Sequence, residues 1–203
     1  MMNTTTEHGY AAGRARRDQI IAEATVLFGR LGFHSTTVVE IAAQCGISRA
    51  GLLHHFPTKE SLLAAVLEER DREDRARFRQ NGSASRDGIS VLRGMVDLAS
   101  YNSSLPGIIA LYAVLSAEAT AEDHPAHAYF TKRYERIRSE TRIALEQAKA
   151  AGHLVDGVDI PAAAIELTAL MDGLQVQWLL APHRVDMAQQ LHQRIQQLLV
   201  TRL

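Results

Sequence analysis

Residues 37–56 read TVVEIAAQCGISRAGLLHHF, and the pattern in this stretch decides the fold. Thr37 and Glu40 stand three residues apart, as in a capping box, which predicts the start of a helix. Gly46 can adopt the positive φ that a tight turn between two helices needs, and Ser48 can cap a second short helix. The stretch therefore predicts a helix-turn-helix unit. Its shared core is predicted to contain Ile41, Cys45, Ile47 and Leu52.

Helical spacing continues on both sides of this stretch. Apolar residues recur at intervals of three and four, and no segment alternates apolar and polar residues as a strand would. The charge run EERDREDRARFR at 68–79 is predicted to be a solvated helix face that pairs Asp71 with Arg75. The chain is predicted to be all-α, with about nine helices. Their predicted ranges are 18–31, 38–44, 49–56, 59–81, 87–102, 106–121, 125–151, 160–181 and 185–202.

Composition and charge limit the possible classes of protein. The chain has 203 residues, 46% of them apolar, a formal net charge of -1 and one cysteine. One cysteine excludes an intrachain disulfide framework and any multi-cysteine metal site. No apolar run is long enough for a signal peptide or a membrane span, so we expect a cytoplasmic protein with no membrane partner. Residues 1–60 hold six Lys and Arg and five Asp and Glu, so nucleic-acid binding would depend on where the cations sit.

The stretch 17–63 resembles the N-terminal domain of the TetR family of bacterial transcriptional regulators. The matching residues are Arg17, Ile20, Ile21, Ala24, Leu27, Phe28, Gly32, Phe33, Thr37, Ile41, Ala42, Gly46, Ile47, Ser48, Leu52, His55, Phe56, Lys59, Glu60, Leu62 and Leu63. Residues 169–188 resemble the C-terminal domain of the subgroup that includes the choline-responsive betaine regulator. The resemblance implies a transcriptional regulator and not an enzyme, with a helix-turn-helix DNA-binding domain at 1–58 and a helical effector-binding and dimerisation domain at 59–203.

The helix that follows Ser48 is the predicted recognition helix, because the first helix of the pair holds its N-terminal residues where they can reach base edges in the major groove. Arg49 is predicted either to contact a guanine or to clamp a phosphate. Thr37 and Lys59 stand at helix starts, which favour an anion, so both are predicted phosphate contacts, although Thr37 can instead only cap its own helix. The predicted DNA-binding residues are Arg16, Arg17, Thr37, Ser48, Arg49, Ala50, Gly51, Leu53, His54 and Lys59.

Leu53 departs from the family pattern. Most members carry a tyrosine there whose hydroxyl reaches a phosphate, whereas leucine offers only apolar contact, for instance to a thymine methyl. His54 is predicted to replace the tyrosine as a phosphate partner. Arg14, Arg16 and Arg17 are predicted to form a basic arm before the first helix, suited to phosphates or to a minor groove. A solvated tail fits Arg14 equally well.

A single recognition helix reads only one half-site, so we expect a homodimer on a palindromic operator in double-stranded DNA. The last two predicted helices carry apolar seams, which in the family form a four-helix bundle with the partner copy. The alternative is that these side chains face only their own domain's core. The predicted interface consists of Leu167, Leu170, Leu174, Trp178, Leu191, Ile195, Leu198 and Leu199.

The middle helices mix aromatic, sulfur and amide side chains that could line a mostly apolar pocket, although such a stripe also fits a simple core. The predicted pocket residues are Met95, Leu98, Tyr101, Asn102, Tyr112, Leu115, Tyr134, Met171, Gln175 and Trp178. We expect a small-molecule effector to bind there and to favour a conformation in which the recognition helices no longer match successive major grooves, so that the repressor leaves DNA. An activator, or a ligand-independent regulator on the same fold, is an alternative.

A metal-dependent helical-bundle enzyme is the second alternative. The only cluster that resembles metal ligands consists of Glu118, Glu122, Asp123, His124 and His127. No Glu-x-x-His pair occurs in the chain, and Pro125 interrupts the helix that such a site needs. The sequence also contains no phosphate-binding glycine loop and no nucleophile elbow. We therefore expect no catalytic residue, no metal and no cofactor.

Overall fold

The computed structural model describes residues 4–81 and 87–203, and the side chains of 11–77 and 87–203. Within these residues the chain forms helices and no strand, which confirms the predicted all-α class, and one isolated bridge joins Leu154 to Leu199. The helices are α1 (Thr4–Ser35), α2 (Val38–Gln44), α3 (Arg49–His55), α4 (Lys59–Asn81), α5 (Gly88–Asn102), α6 (Pro106–Glu118), α7 (His127–Ala150), α8 (Ile160–Leu180) and α9 (Met187–Gln197).

α1 begins well before the predicted start at 18. Residues 4–17 contain helix-forming Ala and Arg but no apolar stripe, so periodicity gave no signal there, and nearly all of 11–19 is exposed. Arg14, Arg16 and Arg17 therefore lie on α1 itself, and the predicted arm before the first helix is wrong. The predicted stop at Gly32 is confirmed, because its φ of 79° interrupts the helix three residues before Ser35.

The helix-turn-helix unit forms as predicted. The Thr37 hydroxyl accepts the Glu40 N–H at 3.2 Å, and the Glu40 carboxylate accepts the Thr37 N–H at 2.9 Å, which completes the capping box of α2. Gly46 has a φ of 64° in the turn, and Ser48 caps α3. Three of the four predicted core side chains are buried and the fourth, that of Ile47, is half-buried. The buried ones are Ile41, Cys45 and Leu52.

Three later helices end or begin inside their predicted ranges. α6 ends at Glu118, because turns occupy the residues up to Pro125, and α7 begins only at His127. α9 ends at Gln197, and the chain beyond it turns back onto the segment that follows α7. There the Val155 N–H donates to the Leu198 carbonyl at 2.9 Å, and the Val200 N–H donates to that of His153 at 2.9 Å. These backbone hydrogen bonds explain why the apolar pattern to 202 does not continue as helix.

Two large apolar cores, and a small third one of Ile109, Leu174 and Met187, stabilise the described part of the chain. The first combines α1 to α3 and the start of α4 with α6 and the start of α7, and it contains Phe28, Leu63 and Leu115. The second combines α5, α7, α8 and α9. The first core therefore reaches beyond the predicted boundary at residue 58, since α4 and α6 contribute to it. Burying such side chains contributes about 25 cal/mol per Å² of apolar surface removed from water.

Among the described helices, none is by itself both long enough and apolar enough to cross a bilayer. Gly88–Asn102 and Pro106–Glu118 meet the limits of length and composition only when they are counted together, across a bend of 107°.

Candidate nucleic-acid interface and effector cavity

The N-terminal end of α3 is open to solvent. Arg49, Ala50 and His54 are exposed, and Gly51 and Leu53 are half-exposed. Arg49 has no hydrogen bond or ion pair with any residue that the structure describes. Its guanidinium therefore presents five free N–H donors beside the first turn of α3, which suits either a guanine edge or a phosphate.

Two predicted DNA contacts use their hydroxyl groups inside the protein. Ser48 Oγ accepts the Gly51 N–H at 3.0 Å. Thr37 Oγ1 donates to Glu40 Oε2 at 2.8 Å in addition to its capping bond. The hydrogen bonds that the Thr37 backbone N–H and hydroxyl donate to the Glu40 carboxylate lower the pKa of that carboxyl. The geometry thus favours the alternative in which Thr37 caps its own helix.

The ammonium of Lys59 is also occupied. Its Nζ donates to the carbonyl oxygens of Phe33 at 2.9 Å and of Thr36 at 3.0 Å, and it lies 3.5 Å from that of His34. Three acceptors match the three hydrogens of an ammonium group, so none is left for a phosphate in this conformation. In this conformation the ammonium is thus held at the end of α1, and the phosphate contact of the Lys59 side chain stays a prediction. The orphan backbone N–H groups at the start of α4 keep their capacity for an anion.

Two arginines of α1 lie against the other helices of the unit. Arg16 donates to Gln19 Oε1 at 2.8 Å and to the Cys45 carbonyl at 3.3 Å. The Arg17 guanidinium lies 4.7 Å from the centre of the Phe56 ring, where its charge interacts with the aromatic face. Both arginines are exposed, so their positive charges extend the cationic surface of α3 along α1.

A cavity of about 370 Å³ lies among α4 to α9. Of the ten predicted pocket residues the structure brings seven to its wall, namely Met95, Leu98, Asn102, Tyr112, Tyr134, Met171 and Gln175. Three lie elsewhere. Leu115 is buried in the first core, Tyr101 lies 3.1 Å under the Arg77 guanidinium, and Trp178 packs with Ile109 and Leu174. The helical spacing placed these residues on the correct helices but not on the correct faces.

The sequence interpretation missed the charged side chains of the cavity wall. Asp71 pairs with Arg133 at 2.7 Å and with Arg136 at 3.3 Å across α4 and α7, and not with Arg75 as predicted. Arg70 is only 3% exposed and contacts Asp74 and, at 2.8 Å, Asn102 Oδ1. The charge run of α4 is therefore partly a buried polar network that faces the cavity. Its sequence signal is indistinguishable from that of a solvated face.

Asp172 is the carboxylate of the cavity wall that has no direct ion pair with a described residue. It lies in the middle of α8 and is half-buried. Burial raises its pKa, while Tyr134 and Arg133 act to lower it. Burial likewise raises the pKa of Tyr134 to about 12, so the phenol stays neutral beside this carboxyl group.

Aromatic rings surround the same end of the cavity. The Phe130 ring centre lies 6.4 Å from that of Tyr112 and 6.3 Å from that of Tyr134. Burial raises the pKa of Tyr112 to about 12. The Arg133 guanidinium lies 4.1 Å from the centre of the Tyr112 ring. Arg75, Arg133 and Arg136 line the cavity together with the carboxylates, so its wall carries charges of both signs.

The predicted dimer interface points inward. Leu167, Leu174, Leu191, Ile195, Leu198 and Leu199 are 5% exposed or less, and Leu170 and Trp178 are half-buried against the same cores. The alternative that these residues fill their own domain's core therefore fits the structure, because a side chain buried in its own chain cannot pack against a partner. The outer face of α8 instead carries a stripe at helical spacing, formed by Ile165, Ala169, Gly173, Val176 and Leu180.

The candidate metal ligands do not converge. Among the described residues, no three His, Cys, Asp or Glu side chains are arranged to hold one metal ion. His124 is buried, its Nδ1 accepts the Ala126 N–H at 3.1 Å, and its Nε2 lies 3.6 Å from Glu118 Oε2. His127 Nδ1 lies 2.8 Å from the Ala119 carbonyl. Both rings thus serve the turn between α6 and α7.

Comparisons with known proteins cover both parts of the chain. The family described as bacterial regulatory proteins, tetR family, matches residues 20–66, and the C-terminal domain of BetI-type transcriptional repressors matches 108–200. RutR of Escherichia coli, an HTH-type transcriptional regulator, is 38% identical over 65 residues, which are 32% of this chain and 31% of RutR. The chain thus matches about a third of the length of this relative.

Solved structures match nearly the whole chain. A transcriptional regulator from Saccharomonospora viridis in complex with choline is 24% identical, with a TM-score of 0.77 over 92% of this chain and 98% of that one. A regulator of the TetR family from Agrobacterium tumefaciens is 19% identical, with a TM-score of 0.78 over 93% of this chain and 100% of that one. At these identities the likeness shows the fold alone.

Proposed function

Because the chain belongs to the TetR family of bacterial transcriptional regulators, we propose that it is a homodimeric repressor that binds an inverted-repeat operator and leaves it when a small-molecule effector binds. The observation that carries the proposal is the exposed N-terminal end of α3, where the guanidinium of Arg49 has no partner among the described residues. Transcription regulation, and not catalysis, is the activity of the matched families.

Repression is favoured over activation by the C-terminal match, since that family is described as one of transcriptional repressors. A repressor needs only to occupy its operator, whereas an activator also needs a surface for the transcription machinery. Since its target is double-stranded DNA, we place the protein in the cytoplasm.

The outer face of α8 is the proposed dimer interface. Ile165, Val176 and Leu180 are 56%, 49% and 82% exposed, an unusual concentration of large apolar side chains on one face. Ala169 and Gly173 between them are small and allow two helices to approach closely. A second copy of the chain, related by a twofold axis beside α8, would bury this stripe. The dimer would then present its two α3 helices to two half-sites about 34 Å apart on the same face of the duplex.

The proposed effector is an organic cation. Asp172 supplies a carboxylate that has no direct ion pair among the described residues, and Phe130 and Tyr134 supply aromatic faces that can stabilise a positive charge. The regulator from Saccharomonospora viridis, which shares the fold, was crystallised with choline, a molecule of this class. A cation releases the repressor only if it binds the DNA-free conformation more tightly than the DNA-bound one.

Selection of bound sequences from a random DNA pool tests the proposal. We expect an inverted repeat whose half-sites are separated by about one helical turn, and loss of the complex when choline or tetramethylammonium is added. Selection of no inverted repeat would contradict the dimeric operator complex. Release by neutral or anionic metabolites alone would contradict the cationic effector and leave the DNA-binding proposal standing.

A further inference from the structure

The cavity lies between two helices that have different packing partners. α4 packs mainly against α1 and α5, whereas α8 packs mainly against α6, α7 and α9. α4 contributes Arg75 to the cavity wall, α7 contributes Arg133 and Arg136, and α8 contributes Asp172. A molecule in the cavity therefore meets basic side chains of α4 and α7 and an acidic side chain of α8.

Three guanidinium groups and one carboxylate meet where α4 faces α7. Asp71 pairs with Arg133 at 2.7 Å and with Arg136 at 3.3 Å. Arg75 follows Asp71 by four residues, so it starts from the same face of α4, and it also lines the cavity. One carboxylate neutralises only one of these three positive charges. The region around Asp71 therefore carries an excess of positive charge.

The other acidic groups nearby do not remove this excess. Asp74 is bound by Arg70, with which it forms a neutral pair. Glu140 lies 4.0 Å from Arg136, but its side chain is 60% exposed, so water screens the attraction. Arg75 is exposed and makes no hydrogen bond or ion pair with any residue that the structure describes. Its guanidinium donors are therefore available to a ligand.

The acidic end of the cavity is formed by α8 and by aromatic rings of α7. Asp172 is half-buried, and among the described residues it has no direct ion pair. The rings of Phe130 and Tyr134 line the wall with it. The face of Tyr112 is already covered by the Arg133 guanidinium, 4.1 Å from the ring centre. The cavity thus offers a ligand an acidic, aromatic end and a basic end.

We propose that the effector is a zwitterion, with an ammonium group held at Asp172 and a carboxylate held by Arg75 and Arg136. The inference rests on the proposed function for its cationic half and adds the anionic half. Guanidinium groups suit a carboxylate because they can donate two parallel hydrogen bonds to it. A simple cation would leave Arg75 without a partner, whereas a zwitterion provides an opposite charge at both ends of the cavity.

A series of trimethylammonium carboxylates tests the proposal, with one, two or three methylene groups between the two charges. Each is compared with its own methyl ester, which keeps the ammonium group and removes the negative charge. Isothermal titration calorimetry on the full-length, DNA-free protein measures the affinities, with choline as the cationic reference. We expect at least one zwitterion to bind at least tenfold more tightly than its ester, because charged hydrogen bonds to arginine are gained.

Two variants locate the carboxylate. Arg75→Gln and Arg136→Gln each remove one positive charge from the wall, and we expect each to reduce the preference for the zwitterion over its ester at least fivefold. The affinity for the ester should stay the same or rise, since a positive charge is lost. Arg72→Gln is the matched control, because Arg72 is exposed on α4 and does not line the cavity. Thermal melting verifies folding, and Arg75→Gln decides if Arg136→Gln does not fold.

The outcomes separate this proposal from the proposed function. Equal affinity for every zwitterion and its ester would overturn the zwitterion and leave the cationic effector standing. A preference that both Arg75→Gln and Arg136→Gln retain would overturn the carboxylate subsite. No binding of choline or of any other probe would contradict both the cation and the zwitterion. Because no DNA is present, none of these results depends on whether the protein selects an inverted repeat.

Discussion

The ammonium of Lys59 lies 4.2 Å from the centre of the Phe33 ring and 2.9 Å from the carbonyl oxygen of the same residue. The Lys59 side chain, at the start of α4, thereby stabilises the end of α1. It does so by a cation–π contact and by hydrogen bonds to carbonyl groups that have no partner within their own helix. The sequence predicts a phosphate contact for Lys59, and in this structure its side chain stabilises the packing of α4 against α1.

Replacing Lys59 with Met should therefore lower the free energy of unfolding. We expect a loss of about 1–3 kcal/mol, since charged hydrogen bonds to partly buried carbonyls are removed and their acceptors are left unsatisfied. Urea denaturation followed by circular dichroism measures it. Lys132→Met is the control, because Lys132 is exposed on α7. A variant as stable as wild type that bound all DNA sequences more weakly would restore the phosphate role.

Replacing Arg49 with Ala should weaken binding to the selected operator by about 1–3 kcal/mol and relax the preference at one position of each half-site. The reason is that Arg49 is exposed at the first turn of α3 with its donors free. Fluorescence anisotropy with operator and scrambled duplexes measures the difference. Equal losses on both duplexes would reduce Arg49 to a phosphate contact.

Replacing Asp172 with Asn should weaken the binding of choline at least tenfold, because the amide keeps the shape of the carboxylate and removes its charge. Isothermal titration calorimetry on the DNA-free protein measures this affinity. Glu140→Gln is the matched control, since Glu140 also lines the cavity but its side chain is 60% exposed, and we expect less than a twofold change. Equal affinity of wild type for choline and for its uncharged carbon analogue would exclude Asp172 as an ionic partner.

Replacing Val176 with Glu should convert the dimer to a monomer, because two like charges would face each other near the twofold axis of the proposed interface. Gln177→Glu adds the same charge at the neighbouring exposed position of α8, outside the apolar stripe, and should leave the dimer intact. Sedimentation velocity at micromolar concentration distinguishes the two. A Val176→Glu variant that remains dimeric would move the interface away from this face.

His124 should make the protein less stable at mildly acidic pH. Burial lowers the pKa of its imidazole, although Glu118 opposes the shift, whereas in the unfolded chain the group titrates near 6.5. The unfolded chain therefore binds more protons, so stability is fully present above about pH 7.5 and falls as the pH drops through about 6.5. The decline levels off below the folded-state pKa.

Denaturation at several pH values between 7.5 and 5.5 measures this slope. His124→Asn should flatten it, because an amide oxygen can still accept the Ala126 N–H but takes up no proton in this range. The exposed His183 supplies the control, since His183→Asn should keep the slope of wild type. A slope that His124→Asn leaves unchanged would show that other groups produce it.

Local chemistry explains why most of the fold could be predicted from the sequence. The capping box of Thr37 and Glu40, the cap at Ser48 and the glycine turn act within a few residues, so their signals are readable without coordinates. The start of α1 was not readable, because an exposed polar helix leaves no apolar stripe. The range of a helix was thus predictable where one buried face requires apolar residues at helical spacing.

The faces of the helices were harder to predict than their ranges. Leu167 and Leu191 share a seam that fits an interface and a core equally well, and only the packing of α8 against α7 and α9 shows that they are buried. Likewise, nothing in the run around Asp71 signals that it pairs with Arg133, which lies 62 residues later. Interactions between distant segments depend on crossing geometry, which periodicity does not encode.

The contact between Phe33 and Glu118 has a consequence for recombining regulators. A chimera that joins residues 1–58 of this chain to the effector domain of another regulator would separate α1 from its α6. The Phe33 N–H would then lose its acceptor, Glu118. Gly29 would pack against a different helix in place of Gly107 and Leu111. Exchange of operator specificity between such proteins should therefore succeed when the segment Pro106–Glu118 travels with the graft. The segments that have to be exchanged together are therefore separate in the chain, although they pack against each other in the fold.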